Sequence, residues 1–458
     1  MGIGTSYPNE LPAVNYARDV AYLEKQDDPS QIHQQQPQQP LRRCTILPQT
    51  GRQRVIWAVL SLVVIIAVIG GAVGGTLGRR STASVNSANQ PPTPISSSPA
   101  TAPTQPRSIK ANSPLGVTAW RKVTGAELYL YYQGQDNVIR LSKYDSGRGL
   151  PTQNNSYWLE PAAAAAAATS NTAISATTVV YQQIYQPQTQ TYFFNGPNNQ
   201  LSGVNHNTLW NPPNNADGIN MYNRTADQRS SLASYWPYTI YQNIDGRLVE
   251  VQNVLGGYGE GTFSPSGDYA AQTLEILACQ GSGIAIVPLS TAFETVAQPG
   301  GYGIVYQSLV GSLKTFIPNA QKTTNVSRSW PPDVTLPDIS FPKGYAIAAF
   351  ATARLGDRQN RTNTFILYQD TDSGIVALRQ DDDLSWRSSR PAALAKADNG
   401  TRIACITMPM SARNADLKPL ALEEASAENR CYFQRDLAVV EVQLKGTDWV
   451  ELGTVPIP

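Results

Sequence analysis

The sequence predicts an all-β fold, a six-bladed β-propeller, carried behind a disordered tail, one transmembrane helix and a Pro/Ser/Thr-rich stalk. Three observations lead there. From about Pro114 onward, short runs rich in Tyr, Val, Ile, Phe and Thr alternate with clusters of Gly, Asn, Asp and Pro, and no long amphipathic helical stretch interrupts them. One uncharged apolar run, Val55 to Gly78, stands ahead of that region. The β region also repeats a short element six times, the signature of a radial array.

Residues 1–54 read as a disordered cytosolic tail. Gln34-Gln35-Gln36-Pro37-Gln38-Gln39-Pro40 is low in complexity and has no apolar side chains with which to build a core. Cys44, beside Arg42 and Arg43, reads as a free thiol or a palmitoylation site close to the membrane.

Residues 55–78 form the transmembrane helix, 24 residues without a charge; about 20 cross a bilayer core. Gly70, Gly74 and Gly78 recur at a spacing of four, as do Gly71 and Gly75. That spacing lets two helices pack closely into a dimer, although glycine is also common in membrane helices generally. Arg42, Arg43, Arg52 and Arg54 precede the span and Arg79 and Arg80 follow it, which puts the N-terminus in the cytosol. The Asn-X-Ser/Thr sequons at Asn154, Asn223, Asn325, Asn360 and Asn399 all follow the span, so they fall on the side where glycans are attached. Both signals predict a type II protein whose C-terminal part is lumenal or extracellular. Residues 79–113, dominated by Ser, Thr, Pro and Ala, read as an extended stalk.

Residues 114–458 carry the repeat. Each copy has an aromatic followed by Gln or Asn, and an aliphatic six residues after that polar residue. Tyr132-Gln133 leads to Ile139, Phe194-Asn195 to Leu201, Tyr241-Gln242 to Leu248, Tyr306-Gln307 to Leu313, Tyr368-Gln369 to Ile375, and Phe433-Gln434 to Val440. The anchors are 62, 47, 65, 62 and 65 residues apart. The element reads as a hairpin: Leu128–Tyr132, a turn at Gly134–Asn137, and a return strand at Val138–Leu141. A strand before the hairpin is visible at 116–120, 274–278, 345–350 and 402–406, and a tryptophan trails five copies, at Trp158, Trp210, Trp330, Trp386 and Trp449. With a fourth strand per unit these make six four-stranded blades, and radial closure removes the exposed edges that so much sheet would otherwise present. Ala162 to Ala168 reads as a loop insertion or a short helix. Cys405 and Cys431 fall on adjacent strands within disulfide reach, which leaves Cys279 unpaired.

Composition narrows the function. Lys+Arg 35 against Asp+Glu 34 gives a net charge of +1, without the basic excess of a nucleic-acid binder. His33 and His206 are the only histidines and lie far apart, which argues against histidine-based zinc sites and Ser-His-Asp chemistry. Asp381-Asp382-Asp383 reads as a solvated turn rather than a metal site. No cofactor, metal or catalytic residue is expected, and the chain does not read as an enzyme.

The repeats, above all Leu128-Tyr129-Leu130-Tyr131-Tyr132-Gln133 with Asn137-Val138-Ile139, resemble the fungal fucose-specific lectin family over about residues 115–458. The resemblance implies a six-bladed propeller with sugar pockets between blades and fucosylated glycans as partners. It also implies a site of three parts. An Arg four residues before the Gln donates a fork of hydrogen bonds. A Glu eight residues after the Gln accepts from hydroxyls. A trailing Trp covers the apolar sugar face. In this chain the Arg places hold Tyr129, Thr191, Tyr238, Gly303, Phe365 and Arg430, and the Glu places hold Leu141, Gly203, Glu250, Thr315, Ala377 and Val442. Only Arg430 and Glu250 match, in different blades, and Glu441 falls one residue from its place, toward the opposite face of a regular strand. Arg430, Glu250 and the trailing tryptophans are thus the candidate ligand residues. The alternatives are exposed strand charges and blade packing. The expected function is a membrane-anchored, fucose-lectin-like propeller with few or no intact sugar sites. A propeller that has lost sugar binding and scaffolds surface proteins is the alternative, and an extracytoplasmic glycosidase the third.

Overall fold

The computed structural model describes residues 109–457 apart from 123, 149–156, 181–186, 207–213, 255–267, 293–295, 297–299, 320–328, 332–335, 408–409 and 412–426. The tail, the transmembrane span, most of the stalk, Trp210, Asn154 and Asn325 lie outside the described residues.

The described chain is an all-β six-bladed propeller. The first blade comprises β1 (Leu115–Arg121), β2 (Ala126–Gln133), β3 (Val138–Asp145) and β4 (Trp158–Ala167). The second comprises β5 (Ile174–Val180), β6 (Pro187–Asn195), β7 (Gln200–His206) and β8 (Asn214–Ala216), and the third β9 (Leu232–Tyr235), β10 (Tyr238–Gln242), β11 (Arg247–Val254) and β12 (Asp268–Leu277). The fourth shows three strands among the described residues, β13 (Ile284–Pro288), β14 (Tyr302–Gln307) and β15 (Leu313–Phe316). The fifth comprises β16 (Ile347–Ala353), β17 (Thr362–Gln369), β18 (Ile375–Gln380) and β19 (Trp386–Ser389). The sixth begins with β20 (Ala404–Cys405) and, after the short β21 (Met410–Ser411), continues as β22 (Arg430–Arg435), β23 (Ala438–Lys445) and β24 (Asp448–Thr454). Within blades every pairing is antiparallel, as hairpins require, while β21 crosses to pair in parallel with the inner strand β5 of the second blade.

The inner strands β1, β5, β9, β13, β16 and β20 touch in a closed ring. The core lies between blades rather than at a single centre, because each sheet has two apolar faces and each faces a neighbour. Six clusters follow from this, one per junction; Leu128, Leu130 and Tyr132 of the first blade, for example, pack on Ile406, Tyr432 and Val439 of the sixth.

The repeated glutamine ties each blade to the next. Gln242 Nε2 donates to the carbonyls of Ala278 and Cys279 (3.1 Å each), and its Oε1 accepts from Gly281 N at 3.0 Å. Gln133, Gln307 and Gln369 repeat this with Asn171 N, Gly344 N and Gly400 N. Gly281 and Gly344 take φ of 73° and 80°, a conformation that turns the N–H toward the glutamine and that side chains disfavour. Gln434 closes the ring onto the carbonyl of Lys110 at 3.0 Å. The second copy departs from the pattern. Its structural counterpart of the glutamine is Phe194, whose N–H bonds Thr172 Oγ1 as Gln133 N bonds Ser113 Oγ, and Asn199 supplies the amide link to Asp227 O at 2.6 Å.

Two expectations about elements are corrected. The alanine run is neither loop nor helix: it lies in β4, with Ala163, Ala164, Ala166 and Ala167 paired to β3, so ladder bonding overrides alanine's helix propensity. Residues 274–278 belong mainly to β12, the outer strand of the third blade, and the strand that precedes the fourth hairpin is β13. The Cys405–Cys431 disulfide is formed between β20 and β22, and Cys279 is free and buried. Asp381 sits in the turn after β18 and pairs with Arg379 at 3.0 Å and Arg387 at 2.5 Å.

Candidate functional site

One constellation of positions recurs at the blade junctions. The first position lies four residues before the glutamine, on the second strand of a blade. The second faces it from the third strand, paired with the residue two before the glutamine. The third lies on the outer strand of the next blade.

At the junction of the sixth and first blades these positions hold Arg430, Glu441 and Trp158. Glu441 pairs with Tyr432 across β22 and β23 and therefore shares a face with Tyr432 and Arg430. The expectation that it points away is wrong, for a reason of turn length. Gln133, Gln242, Gln307 and Gln369 pair with the residue six further on, but Gln434 pairs with Val439, five on. A two-residue turn at Asp436 and Leu437, with φ of 52° and 63°, makes the last hairpin one residue shorter. Glu441 then occupies the place that Glu250 holds opposite Ile240 in the third blade.

Arg430 Nη1 donates to Glu441 Oε1 at 2.8 Å, its Nη2 to Tyr144 Oη at 3.1 Å and its Nε to Ala427 O at 2.7 Å. Tyr432 Oη donates to Glu441 Oε1 at 2.8 Å, and Trp158 Nε1 to Oε2 at 3.1 Å. The guanidinium lies 4.6 Å over the Tyr144 ring. The Arg430 and Glu441 side chains are 10% and 7% exposed, so the exposed-charge alternative for Arg430 does not hold. Burial pulls the Arg430 guanidinium pKa down, but Tyr432, Glu441 and Tyr144 outweigh it and the pKa rises.

The other junctions fill the same positions with different chemistry. Between the second and third blades the first position is Gln190, not Thr191, because the hairpin there is one residue longer; Phe194 pairs with Leu201. The second position is Gly203, and a Cβ there would lie 2.9 Å from Asp217 Cβ, so the Asp217 side chain occupies the space. Asp217 accepts from Gln190 Nε2 at 3.1 Å and from Tyr269 Oη at 2.5 Å. Tyr269 stands opposite Asn253 as Trp158 stands opposite Tyr144, and so it fills the tryptophan place that the third copy lacks in sequence. Between the third and fourth blades Glu250 is buried, accepting from Tyr302 Oη and, at 2.6 Å, from Gln272 Nε2, while Tyr238 stacks on Tyr302 at 4.2 Å. Its exposed-charge alternative fails as well. Burial raises both the Asp217 and Glu250 carboxyls above the usual range, with hydrogen bonds opposing the shift.

At the remaining junctions little polar chemistry is left at these positions. Trp330 covers Gly303, where a Cβ would meet its ring at 2.0 Å, and its Nε1 donates to Thr364 Oγ1 at 2.9 Å. Phe365 and Ala377 hold the first two positions between the fifth and sixth blades, with Trp449 and Phe350 packed beside them. Tyr129 and Leu141 hold them between the first and second, where Tyr129 meets the His206 ring at 5.2 Å and donates to Glu127 at 3.0 Å. Trp330, Trp386 and Trp449 thus pack between blades, and Trp158 alone among the described tryptophans meets the Arg–Glu pair. Sequence spacing misses Glu441, Tyr144, Asp217 and Tyr269. The signal for Glu441 is the short Arg435–Ala438 turn, which lacks the turn residue found four after the glutamine at Asn137, Gly246, Gly311 and Ser373.

Fold and junctions together define a six-bladed β-propeller. The chain matches no family model and no curated protein sequence. Among solved structures it is similar to AofleA from Arthrobotrys oligospora, at 14% identity and a TM-score of 0.52, over 76% of this chain and 88% of the other. It is likewise similar to the fucose-specific lectin of Aleuria aurantia, at 16% identity and a TM-score of 0.52, over 76% of this chain and 97% of the lectin.

Proposed function

We propose that this chain is a membrane-anchored carbohydrate-binding propeller with one complete sugar site, at the junction of the sixth and first blades, suited to a fucose-class sugar. The observation that carries the proposal is the convergence of Arg430, Glu441 and Trp158 on the three positions that the fucose-lectin pattern requires. The Aleuria aurantia lectin has been solved, as a variant, with α-methyl-L-fucoside. Arg430 has five guanidinium N–H groups, of which three are engaged by described residues. The remainder, with the lone pair left on Glu441, can meet sugar hydroxyls, while the Tyr144 and Trp158 rings offer an apolar wall. Because a sugar shares these groups with Tyr144, Tyr432 and Trp158, binding is weak, and a single site gains no avidity within one chain. A glycan array probed with the full chain in mild detergent tests this. Preference for fucosylated glycans supports the proposal, and a blank array favours the alternative of a non-sugar-binding scaffold. That second reading draws on the five junctions whose equivalent positions are filled by the protein's own side chains.

The topology rests on the flanking arginines and the one-sided sequons. Asn223, Asn360 and Asn399 are exposed, so their sequons are open to glycosylation on a lumenal or extracellular face. Deglycosylation is expected to lower the apparent mass. An unshifted band, together with an N-terminus that protease reaches on intact cells, contradicts the type II arrangement.

A further inference from the structure

The face away from the Arg430 pair carries a different site. The inner strands all begin on this side, and the residues just ahead of their first aliphatics form a ring at the mouth of the axial channel: Pro114, Ala173, Ser231, Gly283, Ala346 and Arg402. Five of these are small or are proline, and the sixth is a long cation. Below the ring the first level of the channel is apolar, lined by Leu115, Ile174, Leu232, Ile284, Ile347 and Ile403. Above it opens a basin of about 630 Å³, whose walls include Arg229, Lys343, Gln228 and Gln280 as well as Arg402.

Arg402 is half-buried, and its guanidinium makes no hydrogen bond or ion pair with any described residue. Burial pulls its pKa down, and no carboxylate among the described residues compensates the charge. The acids in the same loops are committed elsewhere. Asp227 accepts from Arg229 N at 2.8 Å and from Gln280 Nε2 at 2.9 Å. Asp398 accepts from Asp436 N at 2.8 Å and Leu437 N at 3.0 Å. Among the described residues the basin therefore has cations and amides in its walls and no carboxylate. At the far end of the inner strands β21 runs alongside β5.

A desolvated cation without a partner is costly to a fold, and a bound anion offsets that cost. The planar fork of arginine matches the paired oxygens of a carboxylate, sulfate or phosphate, and exposed Arg229 and Lys343 add attraction at the rim. We infer that the basin at the channel mouth is a binding site for a small ligand bearing an oxyanion group, gripped by Arg402 with Arg229 and Lys343 beside it. The site is separate from the blade-junction site, and its occupancy does not depend on the sugar reading.

Calorimetry on the full chain in mild detergent, at constant ionic strength, tests the inference. The probes are inorganic sulfate, inorganic phosphate and glucuronate, with glucose as the neutral control. The expected result is binding of the anions and none of glucose; the order among the three anions tells which oxyanion the basin prefers. Arg402→Gln is expected to weaken anion binding at least tenfold and to leave the ligand-free protein as stable as the parent or more so. Arg402→Lys is expected to retain part of the binding, and the double change Arg229→Gln and Lys343→Gln to cost less than Arg402→Gln. Lack of binding by any anion, or anion binding unaltered in a folded Arg402→Gln protein, overturns the inference.

Discussion

The two junctions that flank the sixth blade are built on the same positions and hold opposite chemistry. On one side Arg430 and Glu441 form a buried ion pair framed by Tyr144, Tyr432 and Trp158. On the other Phe365, Ala377, Leu444 and Trp449 form an apolar cluster. The strand pairing at these positions is common to both although the turns differ by a residue, and the side chains there set the chemistry. Burying a charge pair gains little stability over apolar packing, because desolvation offsets most of the Coulomb attraction. Stability therefore does not explain why one junction keeps its pair, and the proposed sugar site supplies a reason.

The largest way to break this comparison is to remove one charge. Glu441→Gln leaves Arg430 buried without its carboxylate and is expected to cost about 3–5 kcal/mol in denaturant unfolding. Converting both members, Arg430→Met with Glu441→Leu, is expected to recover most of that loss while abolishing sugar binding. Equal losses in the single and double variants would mean that the pair is a net structural asset rather than a retained site.

A smaller effect separates polar from apolar framing. Tyr144→Phe removes the acceptor of Arg430 Nη2, and a hydrogen bond to a charged group is worth about 1.5–3 kcal/mol. Leu444→Met, beside Trp449 at the apolar junction, is expected to cost less than about 1.5 kcal/mol, because volume is nearly conserved. Thermal denaturation of both variants checks the ranking, and a reversed order would deny the distinction drawn between the two junctions.

The smallest effect concerns pH and sharpens the comparison with the junction between the second and third blades. Burial raises the Asp217 carboxyl there. Its stabilising contribution is full below the unfolded value of about 3.9 and is lost as pH rises through the raised folded value. Asp217→Asn is expected to lessen the decline in stability across that window. An identical pH profile in the variant would mean that Asp217 is not raised in the folded protein.

Much of the fold was legible because five of the six hairpins repeat an aromatic, a glutamine and an aliphatic at constant spacing, and those glutamines bond the next blade. The site was legible only in part. Arg430 was found by counting from Gln434 along a single strand, where counting is safe. Glu441 lies beyond a turn, and one residue fewer in that turn shifts the count while leaving the pairing face intact. Asp217 was hidden differently: it comes from a loop to fill the space above Gly203, which no in-strand count reveals. The alanine run shows a third limit, since its helix propensity is outweighed by the hydrogen bonds that β3 offers.

The central claim is that one junction, and one only, is complete. Titration calorimetry of the full chain with α-methyl-L-fucoside, run beside the Glu441→Gln variant, tests it most directly. The account predicts weak binding at one site per chain, lost in the variant. Binding at several sites per chain, or binding unchanged in a folded Glu441→Gln protein, would contradict it.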